Sequence, residues 1–589
     1  MDRALPHLDE LQTLPPGPAV ESSGLEDSVP PATATSSSAR AAGVVLAASF
    51  LILAGFVAWN RVFQVDEAQN VYGLWLLAGH KFSAYDFYAP PYLLLLRPLL
   101  WFVNTAPAIF LAVRMAWLAV FAALGWLLLR ASGIRQSDPL FTPAVAALGL
   151  TAPLWTYGLE IRHEGPGVLA LLGCWTLLAP FDGRPRRCAY LLVGALSGFV
   201  LLNAVKHVLF LAPLLVLALV LPHPAYSSRS RIRLLVTLAG GFAAGVAVLL
   251  ALYAWYGAAG IALRSHFAFL HNVAEVARTA PRALAGVLLH QTPLLIGFLL
   301  WRAGDFVVSW RRTLLSEVWR NGAAQWIWMG SVALGTLANP VAFPYNSLAL
   351  VAAGWVVTLR PSLDFFLGET RSRRRRSVGW SLLVLGLGLP WALQVLTLLG
   401  WTNHRQLQLM ETAAALTAPG TDRVFDAAGL VPGREAIAPT WFIHLMNAPS
   451  LRQEGPGSLH ERFVEHPPAV VIPSYRMNYL SRPTLEFIRE HYLPIAPDLW
   501  VPGAQLDDSR ASWTCILAGR YWVSGAESGG LRCDGAAVAP GASEFSRGDH
   551  TCTVPTGTRV TLTWIGPGLV RPPELGRALD PLFPSPSEW

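Results

Sequence analysis

The chain has 589 residues, of which 53% are hydrophobic and only 14% are charged, and its formal net charge is +7. Soluble domains carry about 25% charged residues, so this composition argues against a wholly soluble protein and predicts a polytopic membrane protein with a soluble part. Basic clusters such as "DGRPRRC" and "RSRRRR" stand between apolar runs. That arrangement is typical of cytoplasmic loops and argues against a nucleic-acid-binding surface.

Residues 1–40 are rich in Pro, Ser, Thr and Ala, which predicts a disordered cytoplasmic tail. Apolar runs of spanning length follow at about 41–59, 107–130, 140–157, 165–180, 188–204, 205–222, 232–256, 283–301, 323–339, 341–359 and 378–399. One further run, "PPYLLLLRPLLWFV" at 90–103, is too short to cross and contains Arg97 and Pro98. It predicts a helix that lies in the membrane interface.

The positions of the basic clusters support a count of about eleven membrane spans. With a cytoplasmic N-terminus and about eleven spans, every basic cluster lies inside and the last 190 or so residues lie outside. The fold class expected for residues 41–400 is therefore a polytopic α-helical membrane domain of about eleven spans. Counting 90–103 as a span would place several basic clusters outside.

The C-terminal tail predicts two regions of soluble character. Residues 401–508 alternate short apolar strands with helical segments, which predicts a small α/β unit. Residues 509–589 carry short runs separated by Gly-containing turns, which predicts a β-sandwich-like module. With three cysteines in this module (Cys515, Cys533 and Cys552), at most one disulfide forms within it, and its pairing is open.

The first outer loop contains "QVDEAQNVYGLWLLAGHK". Its spacing predicts a helix with Val71, Leu74 and Leu77 on the buried side, and with Asp66 and Glu67 at its N-terminus. Acids are favourable there because of the helix dipole, so a pure capping role is an alternative to catalysis.

Other outer connections also carry ionisable groups. The chain has only two lysines, Lys81 and Lys206, and both fall on this face, where each can also simply reach the headgroups. The remaining candidates are Glu160, Arg162, His163 and Glu164 in "YGLEIRHEGPG", Arg264, His266, His271, Arg278 and Arg282 in the loop 257–282, and Tyr345 and Asn346 in "NPVAFPYNS".

Acids and cations at the same depth of the membrane suit the binding of a sugar phosphate. A carboxylate deprotonates an acceptor hydroxyl, and cations stabilise a departing phosphate. Cations in the loop 257–282 alternatively bind anionic lipid headgroups.

An acidic pair after the first span, then a helix, then a short segment beginning "PP", resembles the GT-C membrane glycosyltransferases over residues 41–400. The layout is most similar to the aminoarabinose transferase and protein O-mannosyltransferase group. The resemblance implies that Asp66 is the catalytic acid of the first loop, with Glu67 as its neighbour. It also implies that Glu164 is the second-loop acid with Arg162 beside it, and that Lys206 and Tyr345 serve the lipid phosphate.

Two positions depart from that family. Ala89 stands where relatives often have Lys before "PP", and the second-loop acid is Glu rather than Asp. Lys81 or Arg97 can replace the missing charge. These departures bear on the donor sugar more than on the class of reaction.

The resemblance implies an inverting transfer from a polyprenyl-phosphate sugar, without a nucleotide, to a hydroxyl of a lipid, glycan or protein. The expected location is the outer face of a bacterial inner membrane. Candidate donor-binding residues are Lys81, Arg162, His163, Lys206, Arg264 and Tyr345. Some relatives use a divalent metal near the first-loop acid, and the sequence assigns no ligands to one. A lipid or polysaccharide transporter and a non-catalytic envelope scaffold are the alternatives.

Overall fold

The computed structural model describes residues 33–79, 81, 90–179, 187–220, 228–258, 282–310, 317–339, 343–368, 370–438, 441–443, 451–452, 455–508, 511–525, 530–575 and 582–583. Residues 1–32, most of the tail predicted to be disordered, lie outside this set. The first helix begins at Thr33, before the predicted start at residue 41.

Helices occupy every apolar run that the sequence identifies. They are α1 Thr33–Asn60, α2 Val65–Ala78, α3 Tyr92–Leu96, α4 Ala106–Ala131, α5 Phe141–Gly149, α6 Ala152–Gly158, α7 Glu164–Leu178, α8 Arg187–Asn203, α9 Val208–Val220, α10 Ser228–Trp255, α11 Arg282–Gln291, α12 Pro293–Trp310, α13 Glu317–Ala338, α14 Ser347–Leu367, α15 Arg373–Leu383 and α16 Leu389–Gly400. A π-helical turn, Val384–Gly388, joins α15 to α16.

The predicted total of about eleven spans is not confirmed. Among the described residues, five helical stretches are long and apolar enough to cross a membrane: Arg40–Asn60, Ala106–Ala131, Arg229–Trp255, Pro344–Leu367 and Arg373–Gly400. A sixth arises if Leu284–Gln291 and Pro293–Val308, which meet at 90°, form one broken span. Other runs, such as α7 and α8, give helices of 10–17 residues. These rise at most about 25 Å, less than the roughly 30 Å hydrocarbon core.

Glycines bring α8 and α10 into close contact. A Cβ at Gly194 would lie 2.2 Å from the carbonyl oxygen of Leu238, and one at Gly241 would lie 2.1 Å from that of Leu191. Small residues spaced by four let membrane helices approach this closely. The two helices therefore pack as one pair, which the sequence analysis did not identify.

The helix predicted in the first outer loop is confirmed as α2, and Val71, Leu74 and Leu77 are fully buried. The run 90–103 forms α3 and a 3₁₀ turn, Arg97–Trp101, which together are shorter than a membrane span. Leu95 and Trp101 of this segment are exposed. Its position in the membrane interface stays a prediction.

The tail begins with α17, His404–Leu416, and also contains α18, Leu459–Glu465, and α19, Arg482–His491. Its strands are β1 Val424–Phe425, β2 Val470–Val471, β3 Tyr492–Ala496, β4 Leu499–Leu506, β5 Ser512–Cys515, β6 Gly519–Ser524, β7 Arg532–Cys533, β8 Ala536–Ala537, β9 Gly541–Phe545, β10 Gly548–Thr553 and β11 Val560–Trp564.

Two sheets organise these strands. One has seven strands in the order β1-β2-β4-β11-β6-β9, with β3 also paired to β4, and only β1 and β2 run parallel. The other has the order β5-β10-β7-β8. Because β4 pairs with β11, the larger sheet joins residues from both sides of position 508. Trp513 of the smaller sheet packs edge-on against Tyr521 of the larger one, so the two sheets share a core.

One disulfide forms in the tail, between Cys533 and Cys552, and Cys515 is a buried free thiol. This agrees with the expected maximum of one bond and settles the pairing that the sequence left open. The bond joins β7 to β10 within the smaller sheet.

The tail contacts the membrane part directly. Gln406 of α17 exchanges two hydrogen bonds with the backbone of Phe63, at 2.6 and 2.9 Å. The hydroxyl of Tyr72 in α2 donates to the carbonyl oxygen of Arg434, and its ring packs on Trp441. The helix that carries Asp66 is therefore held between the membrane helices and the tail.

Candidate functional site

Asp66 lies at the start of α2 with both carboxylate oxygens engaged. Its Oδ2 is 2.7 Å from Nη2 of Arg162, and its Oδ1 is 3.4 Å from Nη2 of Arg476. The Asp66 side chain is 29% exposed, whereas those arginine side chains are at most 9% exposed. Asp66 is thus a partly accessible carboxylate between two buried cations.

Arg162 lies in the short connection between α6 and α7, and it reaches three carboxylates. Its Nε is 3.3 Å from Glu164, its Nη1 is 3.5 Å from Glu160, and Nη2 makes the Asp66 contact. Its guanidinium lies 3.5 Å from the centre of the Tyr345 ring, a cation–π arrangement. Such multiple pairing offsets the cost of burying this charge.

Glu164 connects Arg162 to Lys206. Its Oε1 is 2.5 Å from Nζ of Lys206 and 3.0 Å from Nε2 of His163, and its side chain is 2% exposed. Lys206 Nζ also donates to Oδ1 of Asn346 at 2.8 Å and lies 4.9 Å from the centre of the Tyr345 ring.

These contacts define one assembly, which we call the carboxylate–cation cluster. Its members are Asp66, Glu160, Arg162, His163, Glu164, Lys206, Tyr345, Asn346 and Arg476. Four connections of the membrane part and one of the tail contribute them. The sequence analysis named all of these residues except Arg476.

Burial perturbs the ionisation of Glu160, which lies in the connection between α6 and α7 and outside both helices. Burial raises the pKa of Glu160 to about 7 and outweighs the opposing effect of Arg162. This carboxyl therefore titrates near neutral pH, within 3.5 Å of an arginine that also contacts Asp66.

Glu67 is buried away from the open side of the cluster. It is fully inaccessible and lies 2.7 Å from Arg61 and 2.6 Å from Arg114, both equally buried. Its Oε2 also accepts the backbone N–H of Gln64 at 2.9 Å and completes a capping box. The capping alternative considered for the acidic pair therefore describes Glu67, and the structure gives this residue no surface that a substrate reaches.

Lys81 does not join the cluster either. Its Nζ is 2.6 Å from Glu435 of the tail and 5.2 Å from the centre of the Trp75 ring. The two lysines that the sequence placed on one face therefore have different surroundings. Arg264, like His266, His271, Arg278 and Ala89, lies outside the residues whose side chains the structure describes.

The sequence analysis did not identify Arg476 of the cluster, nor the buried Tyr92, which is not a member of the cluster. Arg476 lies in a 3₁₀ helix of the tail, Tyr475–Tyr479, about 400 residues after Asp66 in the chain, and no local motif marks it. Tyr92 directly follows "PP", and its buried hydroxyl has no hydrogen-bond partner among the described residues. Burial and the charge of Glu164 raise the pKa of Tyr92 well above its usual value. The paired prolines are the signal that could have drawn attention to Tyr92.

No group of three or more His, Cys, Asp or Glu side chains suited to a metal ion occurs within the described ranges. In the cluster, Arg162 stands between Asp66, Glu160 and Glu164, so these carboxylates converge on a guanidinium. The described residues of the cluster do not fit a metal site, because this guanidinium already pairs with the three carboxylates.

Comparison with known proteins gives a likeness among solved structures. No protein-family model and no curated protein matches this sequence. Among solved structures, the chain is similar to the Archaeoglobus fulgidus oligosaccharyltransferase, crystallised tethered with an acceptor peptide containing the NVT sequon via a disulfide bond. The match has a TM-score of 0.44 and 12% identity, and it covers 76% of this chain and 72% of that chain.

By its name, that protein is a glycosyltransferase, the class that the sequence leads us to expect. At this identity and TM-score, the likeness establishes neither a common fold nor shared site residues. It also does not point to the aminoarabinose transferase or the protein O-mannosyltransferase group.

Proposed function

We propose that this protein is an integral-membrane glycosyltransferase that moves a sugar from a polyprenyl-phosphate donor to an acceptor hydroxyl. The observation that carries the proposal is the unbroken ion-pair chain from Asp66 through Arg162 and Glu164 to Lys206. It places an accessible carboxylate and two cations at the ends of apolar helices, where a lipid-linked phosphate would lie.

Asp66 is the proposed general base because it is the accessible carboxylate of the cluster. Its side chain is 29% exposed, against 5% for Glu160 and 2% for Glu164. A base must come within hydrogen-bond reach of the proton that it removes, and Asp66 meets that condition best. Arg162 and Arg476 hold its two oxygens in a fixed orientation.

Lys206 and Arg162 are the proposed ligands of the donor phosphate. Both cations lie over the ring of Tyr345, and Lys206 is 20% exposed. In the proposed reaction, the acceptor oxygen bonds to the anomeric carbon while the bond from that carbon to the phosphate oxygen breaks. The hydroxyl proton passes to Asp66, and the phosphate leaves on its polyprenyl chain. Attack opposite the leaving group inverts the anomeric centre.

Other predicted residues take supporting roles in this proposal. Glu164 holds Arg162 and Lys206 on its opposite oxygens, and His163 contacts the same carboxylate. Glu67 is assigned to the fold and not to substrate contact. Lys81 is assigned to the contact with the tail, and a donor-binding role for Arg264 stays a prediction.

We further propose that the reaction takes place on the outer face of a bacterial inner membrane, with the tail on that same side. The basic connections support this orientation, because Arg-rich segments such as 371–376 favour the cytoplasmic side. The tail then lies beside the site, as the contact between Arg476 and Asp66 requires.

The experiment that tests this function is mass spectrometry of envelope glycolipids, glycans and glycoproteins from cells with the wild-type chain or Asp66→Asn. The matched control is Asp138→Asn, since Asp138 pairs with Arg360 outside the cluster. We expect one glycoconjugate to disappear with Asp66→Asn and to persist with Asp138→Asn. An unchanged set of glycoconjugates in the Asp66→Asn cells would reject the transferase.

A further inference from the structure

The backbone of Ile161 connects the two loops that carry Asp66 and Arg162. The N–H of Ile161 donates to Oε1 of Glu67 at 3.2 Å, and its carbonyl oxygen accepts from Nδ2 of Asn70 at 2.9 Å. Ile161 is fully buried and directly precedes Arg162. Two side chains of α2 thus bind the two successive peptide groups on either side of Ile161, in a segment more than 90 residues away.

The same two side chains are also tied to the start of α2. Asn70 Nδ2 donates to the carbonyl oxygen of Asp66 at 2.7 Å, and Glu67 accepts from the backbone of Gln64. Residues three and four positions apart on a helix face the same side, so Glu67 and Asn70 form one surface under Asp66. The backbone of Asp66 and that of Ile161 are therefore bridged by a single amide group.

Charge explains why Glu67 keeps this position. Arg61 and Arg114 bracket its carboxylate, and all three side chains are fully buried. Arg61 also donates to the carbonyl oxygen of Leu159 at 3.0 Å, which adds a third contact to the second loop. Burying such a triad costs desolvation energy that apolar packing would avoid, so its value lies in fixing geometry.

We propose that Glu67 and Asn70 are positioning residues that set the distance between Asp66 and Arg162. Neither contacts substrate. They clamp the backbone N–H and carbonyl oxygen of Ile161, so that Arg162 Nη2 stays 2.7 Å from Asp66. Displacement of a reacting group by about 1 Å costs roughly a hundredfold in rate, which gives such a clamp a catalytic consequence. This inference rests on the proposed function for its kinetic part and on the hydrogen bonds alone for its structural part.

The test uses the full chain in nanodiscs. Asn70→Leu keeps the branching at Cγ but removes both donated hydrogen bonds, whereas Asn70→Gln keeps an amide donor. Thr156→Val is the control, because Thr156 is equally buried and donates only within its own helix, to Ala152. The rate of hydrogen exchange in the peptide 159–163 measures whether the clamp is intact. Sugar transfer is measured as formation of the glycoconjugate that is expected to be absent from Asp66→Asn cells.

We expect exchange of the 159–163 peptide to rise about tenfold in Asn70→Leu, to stay near wild type in Thr156→Val, and to recover partly in Asn70→Gln. Product formation should fall tenfold or more in Asn70→Leu. In an Arg162→Lys background, Asn70→Leu should have little further effect, because both act through one group.

Unchanged exchange in Asn70→Leu would overturn the clamp. Wild-type product formation with a loosened 159–163 segment would overturn its positioning role. If Asp66→Asn itself keeps full activity, the proposed function fails, and the exchange experiment still decides whether the clamp exists. Should Asn70→Leu not fold, the same measurements on Asn70→Ala, which removes the amide group without adding bulk, decide the matter in the same way.

Discussion

Replacing Lys206 with Gln should abolish most sugar transfer. Lys206 contributes one of the two cations proposed to hold the donor phosphate, and its Nζ is 2.5 Å from Glu164. Loss of one preorganised charge at a developing oxyanion costs about 10²–10³ in rate, or about 3–4 kcal/mol. Lys206→Arg keeps the charge in a longer, planar group and should restore part of the rate.

Folding should suffer less than catalysis. Glu164 keeps Arg162 and His163 as partners when Lys206 is removed, so its carboxylate is not left alone in the interior. The expected destabilisation is about 1–3 kcal/mol, the cost of one lost hydrogen bond to a charged group. A large fall in transfer with a small fall in melting temperature would separate the two effects.

The other lysine is the matched control for this experiment. Lys81 pairs with Glu435 at 2.6 Å, but its side chain is 37% exposed and lies outside the cluster. Lys81→Gln should keep transfer within about twofold and change stability by less than about 1 kcal/mol. The assay is release of polyprenyl phosphate from a polyprenyl-phosphate sugar by the purified chain in nanodiscs. Wild-type release by Lys206→Gln, or equal losses in the two variants, would refute the assigned roles.

Three further predictions concern the tail. Arg476→Gln should lower sugar transfer about tenfold in the same release assay, because Arg476 contacts Asp66. An unchanged rate in this variant would show that the tail does not contribute to the site. Reduction of Cys533–Cys552, a closure of 19 residues, should destabilise the smaller sheet by about 3 kcal/mol, seen as faster hydrogen exchange of 530–553. For His550, burial opposes protonation, but hydrogen bonds to a backbone carbonyl and to Asp534 raise its pKa. The resulting stability is present below the unfolded pKa of about 6.5 and is lost as pH rises through the folded value. Asp534→Asn should reduce the difference in melting temperature between pH 5.5 and pH 8.5. An unchanged difference would contradict the pairing of His550 with Asp534.

Periodic hydrophobicity made the helices predictable. Every apolar run lies on a helix, and α2 buries the predicted residues Val71, Leu74 and Leu77. The number of spans was less predictable, because apolar length alone does not reveal where a helix bends. The right angle between α11 and α12 lies directly before Pro293, which disfavours continuation of the preceding helix but does not by itself set the angle.

The candidate site was predictable where its members lie near the ends of apolar runs. Asp66, Arg162, Glu164 and Lys206 were identified in this way, and the structure brings them into contact. Arg476 was not identifiable, since its contact depends on how the tail folds back onto α2. Helical spacing alone left both Asp66 and Glu67 as possible caps, and only the family resemblance favoured Asp66 as the catalytic acid. In the structure Asp66 is partly exposed, and Glu67 is enclosed by two arginines.

The most direct test of the central claim compares wild type and Asp66→Asn as purified chains in nanodiscs supplied with polyprenyl-phosphate sugars and envelope acceptors. We predict that wild type releases polyprenyl phosphate and forms a glycosylated acceptor. Asp66→Asn should still bind the donor but turn it over at least about a hundredfold more slowly. Equal turnover by the two proteins would contradict the assignment of Asp66 as the base.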